Sequence, residues 1–216
     1  MTICNVMLTG AGAVLFADTA LCDREGNIIG HTSKLEALPH LHAGFAMRGL
    51  HGLHTDARRY LQAGGCGSFR DALAGLPDVL ADSSHALAAL LASHGDQGAA
   101  GGFPDGELTL AGLDPATGRV RAVRYASANG FEPEELAEGV YLAPPPAEGV
   151  TMPRTMTIEQ AIGVAQAQRA MMAENAREAG GGVGIGGLLQ AMEITAEAIR
   201  LRTIHRFEEA AHVIAA

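Results

Sequence analysis

Apolar positions in the first fifty residues come in short runs separated by turn residues. Residues 2–9 (TICNVMLT) and 13–18 (AVLFAD) read as two strands around the turn Gly10-Ala11-Gly12, a hairpin pattern. A turn at Asp23–Gly26 precedes NIIG (27–30), and two further strand candidates occupy 31–40 and 41–50, broken at Pro39-His40. The period then changes at Gly49. Leu53, Ala57, Tyr60 and Leu61 fall at helical spacing between His51 and Gln62, and Gly64-Gly65 stops the pattern. Ser68 is a good N-cap for a second helical region reaching about Ser93, with Leu87, Leu90 and Leu91 as its stripe; Pro77 is expected to split or kink it. The glycine-rich run 95–107 reads as a mobile loop.

A second set of strands follows. ELTLAGLD, the turn PATG and RVRAVRYAS form a hairpin over 107–127, and GVYLA (139–143) is a short strand closed by Pro144-Pro145-Pro146. Thr157 caps a helix with Ile158, Ile162, Ala165, Met171 and Met172 along one face, ending near Gly180. That face suits packing, with a subunit contact as an alternative. GGGVGIGG (180–187) is a glycine loop, and LLQAMEIT with AIRLRTIHRFE forms the last hairpin. Strands, two helices, strands, a helix and strands again show neither strict βα alternation nor complete segregation. The order predicts an α+β fold with two antiparallel sheets packed face to face and helices outside both. With no internal repeat or boundary, residues 1–216 are expected to form a single domain.

Composition narrows the function classes. Hydrophobic residues make up 48% and charged residues 18%, so the chain can bury a full core. Tryptophan is absent and aromatics are 4%, which leaves Ala, Leu, Ile, Val and Met to build that core. The net charge of −9, with no basic cluster, argues against a nucleic-acid binder. Three cysteines without CxxC spacing, no basic-then-apolar leader and no eighteen-residue apolar run predict a reduced cytoplasmic protein that makes no membrane contact.

The candidate chemistry lies in a spacing. Thr2, Asp18 and Lys34 are sixteen residues apart in turn. Once Met1 is removed, Thr2 carries both a hydroxyl and a free α-amine, so nucleophile and base sit on one residue. Each residue also has an ordinary reading: a β-branched strand opener, a turn-forming Asp, and a solvated Lys. The spacing resembles that of the proteasome-like family of N-terminal nucleophile (Ntn) hydrolases, such as proteasome β-subunits and the bacterial HslV peptidase. TICNVMLTGAGAVLFAD is similar to the family's opening hairpin, SKLEALPHLHAGFAMRG to the segment carrying its Lys and glycine turn, ELTLAGLDPATGRVRAV to its central hairpin, and GIGGLLQAMEI to the start of its last hairpin.

The resemblance implies a four-layer αββα sandwich and a threonine-type peptidase or amidase with no cofactor and no metal. Thr2 would be the nucleophile, Lys34 would lower the amine and hydroxyl pKa values by its charge, and Asp18 would hold and balance Lys34. The backbone N–H of Arg48 or Gly49 would face the oxyanion. The family closes its active sites inside rings or spirals of subunits, so the resemblance implies self-association, a peptide or unfolded-protein substrate and an ATP-driven unfoldase as partner. Two segments depart from the family pattern. Its Gly-Ser-Gly turn reads Ala143-Pro144-Pro145 here, and its Asp-x-x-Ser-Gly-Gly reads Gly182 to Gly187 with neither Asp nor Ser. The alternative is therefore a non-catalytic homologue that keeps the fold as a scaffold or assembly subunit.

Other motifs carry less. His31, His40, His42, His51 and His54 crowd together; H-x-H on a strand would turn two rings to one face, as Zn²⁺ requires, but no carboxylate or Cys completes a site. Surface or capping histidines are the other reading. The glycine run precedes a strand instead of opening a helix, which argues against a dinucleotide site. Cys4 reads as a small core residue.

Overall fold

A computed structural model describes residues 2–23, 26–63, 66–94, 106–145, 153–179 and 183–208. Met1, Gly64-Gly65, 95–105, Pro146 and Gly180–Gly182 lie outside the described residues, and with them the helix stop, most of the predicted loop and part of the glycine run. Among the described residues are twelve strands and three α-helices. The strands are β1 (Cys4–Thr9), β2 (Gly12–Asp18), β3 (Ala20–Cys22), β4 (Ile28–His31), β5 (Leu35–Leu38), β6 (Ala43–Gly49), β7 (Gly106–Asp114), β8 (Arg119–Ala126), β9 (Glu134–Glu135), β10 (Gly139–Tyr141), β11 (Leu188–Ile194) and β12 (Ile199–Arg206). The helices are α1 (His51–Gln62), α2 (Phe69–Ser93) and α3 (Ile158–Ala179).

The strands form three antiparallel sheets, ordered β10-β1-β2-β11-β12, β3-β4 and β5-β6-β7-β8-β9. This corrects the expected four-layer αββα sandwich of two sheets: the protein is mostly β-sheet, with three helices and a third, separate ribbon. The ribbon arises because β2 stops at Asp18, whose carboxylate turns inward to bind backbone amides. The chain then leaves the first sheet, and Ala20 pairs with His31 instead. Asp23 closes the ribbon's turn by accepting from Asn27 N at 2.8 Å and Asn27 Nδ2 at 3.0 Å. The strand read over 31–40 begins only at Leu35, and β9 had no signature in the sequence.

Small and aliphatic side chains join the two larger sheets. Val6, Leu15, Ala17 and Met192 of the first share a buried cluster with Leu35, Ala46, Ala111 and Ala122 of the other. Leu53, Ala57, Leu61, Leu76 and Leu80 of α1 and α2 pack on Phe45, Leu108, Leu110 and Tyr125. On α3, Ala165 and Met172 pack with Ile3 and Leu189, so Met172 is a packing residue. Local chemistry starts both long helices where the sequence indicates. Asp71 N donates to Ser68 Oγ, and Thr157 with Gln160 makes a reciprocal capping box of 3.2 and 2.8 Å. Among the described residues no helix is long and apolar enough to cross a membrane.

Pro77 does not split the helix, because α2 runs through it as one element. A proline lacks the N–H that would bond the carbonyl four residues back, here Leu73 O. The Tyr125 hydroxyl donates to that carbonyl at 3.4 Å. Tertiary structure thus supplies a donor that the helix cannot. Tyr125→Phe should cost about 1 kcal/mol in denaturant unfolding. This cost should vanish in a Pro77→Ala background, where the backbone N–H restored by the substitution takes over the carbonyl. Equal costs in both backgrounds would refute the coupling.

Candidate functional site

Strand ends and the residues flanking them converge at one place. Thr2 stands just before β1, Asp18 ends β2, Lys34 precedes β5, Gly49 ends β6 and Gly186 precedes β11. Lys34 Nζ donates to Thr2 Oγ1 at 2.9 Å and to Asp18 Oδ1 at 2.9 Å. The Lys34 side chain is 9% exposed and that of Asp18 fully buried. A buried ion pair is tolerated only when the remaining lone pairs are satisfied. Asp18 meets this condition: Oδ1 also accepts from Ile3 N (2.9 Å), and Oδ2 accepts from Ala20 N (3.1 Å) and Gly186 N (3.2 Å).

The glycine segment before β11 therefore has a structural task. Gly186 offers its amide to Asp18, and Gly187 has φ +70°, where a side chain would run into Thr19 Oγ1 and the His31 ring. Leu188 N then donates to Thr19 Oγ1 at 2.9 Å. Sequence reading missed Ile3 N, Ala20 N and Gly186 N because a backbone donor has no residue signature.

Thr2 and Lys34 open onto a cleft of about 690 Å³ that Arg48 and Gly49 also line. Gly49 has φ +116°, a conformation open to glycine, and the Arg48 guanidinium pairs with Glu107 at 3.3 Å. Ser33, another cleft residue, has its hydroxyl between Leu35 O (2.8 Å) and Gln190 Oε1 (2.9 Å), either of which can accept its one proton, and this steadies the chain leading to Lys34. Cys4 sits in the core between the two larger sheets, and burial pushes its thiol up to about 12, which removes it as a nucleophile.

The histidines separate. His40 bonds Leu61 O at 3.0 Å and His42 bonds Thr195 O at 2.8 Å, so this H-x-H, which lies on a 3-10 turn, serves two different elements. Among the described residues no group of three His, Cys, Asp or Glu is placed to hold a metal ion. His54 is neither a surface nor a capping residue. It is buried, stacked on His51 with ring centroids 5.9 Å apart, and its Nε2 has no hydrogen-bond partner.

The site's frame is a proteasome-like fold. No known protein family matches the sequence, and no curated protein matches it. Solved structures do match. One is an Anbu (Gly-1) mutant from Hyphomicrobium sp. strain MC1, with 12% identity, 94% of this chain and 88% of that chain covered, and a TM-score of 0.62. Another is Anbu (ancestral beta-subunit) from Yersinia bercovieri, with 14% identity, coverage of 94% and 86%, and a TM-score of 0.58. Similarity at this identity establishes the fold alone.

Burial, with the charges of His51, Arg58 and Lys34, lowers the His54 pKa from 6.5 to about 4. Glu36 lies 4.0 Å from Nε2, too far to bond it, and it already receives Arg58. The unfolded chain thus takes up a proton at a pH where folded His54 stays neutral. Its contribution to stability is complete above pH 6.5 and is lost as pH falls toward 4, on the order of 3 kcal/mol in total. Urea unfolding from pH 7 to 4 should show that much less pH-dependent loss in His54→Leu, and parallel curves would rule the assignment out.

Proposed function

We propose that the chain is a proteasome-like threonine peptidase or amidase of the Ntn class, one domain over 1–216, working as a self-associated oligomer. The observation that carries this reading is the Lys34 ammonium held 2.9 Å from Thr2 Oγ1 and 2.9 Å from a fully partnered Asp18. After loss of Met1, the Thr2 amine takes the hydroxyl proton while Oγ1 attacks the substrate carbonyl. The Lys34 charge favours both the neutral amine and the developing alkoxide. A backbone N–H at Arg48 or Gly49, on the same cleft, would stabilise the oxyanion by roughly 3–4 kcal/mol. Collapse of the tetrahedral species passes the proton to the leaving amine and leaves an ester on Thr2, which water hydrolyses.

Intact-mass measurement should find Met1 removed, and an electrophilic threonine-protease inhibitor should label Thr2. Thr2→Ala and Lys34→Ala should each lower peptide turnover at least about 1,000-fold, Thr2→Ala without disturbing assembly. Turnover by Thr2→Ala equal to that of the parent would reject the mechanism. Retained Met1 would favour the scaffold reading, which the absence of Ser from 143–145 and of Asp and Ser from 182–187 supports.

Self-association has its own support. Residues 86–92 of α2, Ala-Leu-Ala-Ala-Leu-Leu-Ala, are wholly apolar, yet Leu90 is 54% exposed. We assign this face, with Leu90 at its centre, to the contact between copies. Leu90→Asp should reduce the assembly mass in light scattering while circular dichroism stays unchanged. An assembly of unaltered mass would exclude this face.

A further inference from the structure

Asn5 and Gln168 are the polar pair that the proposed chemistry leaves unused. They are 163 residues apart in sequence and both buried, at 2% and 4% exposure. Asn5 Nδ2 donates to Gln168 Oε1 at 2.8 Å, and Gln168 Nε2 donates back to Asn5 Oδ1 at 3.1 Å. Both amides then reach a third element. Ala143 N donates to Asn5 Oδ1 at 3.1 Å, and Gln168 Nε2 donates to Pro144 O at 2.7 Å.

What they hold borders Thr2. β1 pairs with β10 only from Val6 to Leu8, because β10 ends at Tyr141 and prolines follow. Beyond that ladder, Cys4 N donates to Ala143 O at 2.8 Å, two residues from Thr2. Across the chain Ile3 N is held by Asp18, and the Ile3 side chain packs with Ala165 and Met172 of α3, the face that carries Gln168. The first residues of a strand fray unless tied down. Asn5 and Gln168 tie down the segment that anchors this one.

We infer that Asn5 and Gln168 are positioning residues: their paired amides lock Ala143-Pro144 to β1 and so keep Thr2 opposite Lys34. The kinetic part of this inference rests on the reading of Thr2 as nucleophile; the structural part does not.

The test uses the full chain with Met1 removed, comparing the parent with Gln168→Met and Gln168→Glu. The first keeps the volume and loses every hydrogen bond; the second keeps the acceptor for Asn5 Nδ2 and loses the donors to Asn5 Oδ1 and Pro144 O, so it serves if the first fails to fold. Hydrogen exchange should accelerate at least about 10-fold at the Ile3 and Cys4 amides and stay unchanged in β6 and β7. Peptide turnover should show kcat reduced about 10- to 100-fold with KM within about twofold. Unchanged exchange at Ile3 and Cys4 would overturn the inference, as would uniform acceleration through the whole chain, the mark of a merely structural pair. Local acceleration with unchanged kcat would sever the link to Thr2. Local acceleration in a protein whose parent is inert to peptide and electrophile would sink the peptidase reading and leave the anchoring role standing.

Discussion

A buried carboxylate must be satisfied on every side, and Asp18 organises this molecule around that requirement. Removed from water, its oxygens accept from Lys34 and from three backbone amides on separate stretches of chain. The start of β1, the start of β3 and the approach to β11 are thereby drawn to one point, with Lys34 from the neighbouring sheet. The converse also holds, since a buried ammonium needs the carboxylate as much as the carboxylate needs it. Losing either would leave an uncompensated charge in a place without solvent.

Close approach of the two larger sheets makes the meeting possible. Their shared cluster includes Ala13, Ala17, Ala46, Ala111 and Ala122. At Gly44 the place a side chain would take is filled by the Met192 sulfur. With no tryptophan and few aromatics, small residues let the backbones come near, and density is kept by methionine, whose flexible thioether fills irregular gaps. Residues at the ends of strands from both sheets then fall within hydrogen-bond reach of one another.

Much of the fold was legible where the cause is local. Short apolar runs between turn residues marked β1, β2, β7, β8, β11 and β12, and Ser68 and Thr157 announced their helices through side chains that bond the adjacent amides. The two-residue β9 is too short to leave a pattern, and the β3-β4 ribbon depends on where Asp18 sends its oxygens. The helix through Pro77 depends on a tyrosine 52 residues beyond the carbonyl it serves, and no local window along the chain contains both. Of the candidate site, Thr2, Asp18 and Lys34 stood out through the family resemblance of their spacing, and Lys34 bonds each of the other two. His54 looked like one of several loose histidines; its burial beside Phe45 is a fact of packing alone.

The sequence by itself determined the hairpins, the caps, the acidic and tryptophan-free composition, and the residue types available for chemistry. These follow from interactions spanning a few residues or from simple sums over the chain. Only the tertiary structure decided that the described strands form three sheets, that Gly186 and Ile3 lend their amides to Asp18, and that Asn5 and Gln168 meet at Ala143-Pro144. Backbone donors are common to nearly every residue, and contacts between distant segments depend on how whole sheets and helices pack. Thr2, Asp18 and Lys34 could be picked out because their side chains carry the chemistry and their spacing resembles that of a known family, whereas the frame around them is mostly backbone and became visible only in the fold.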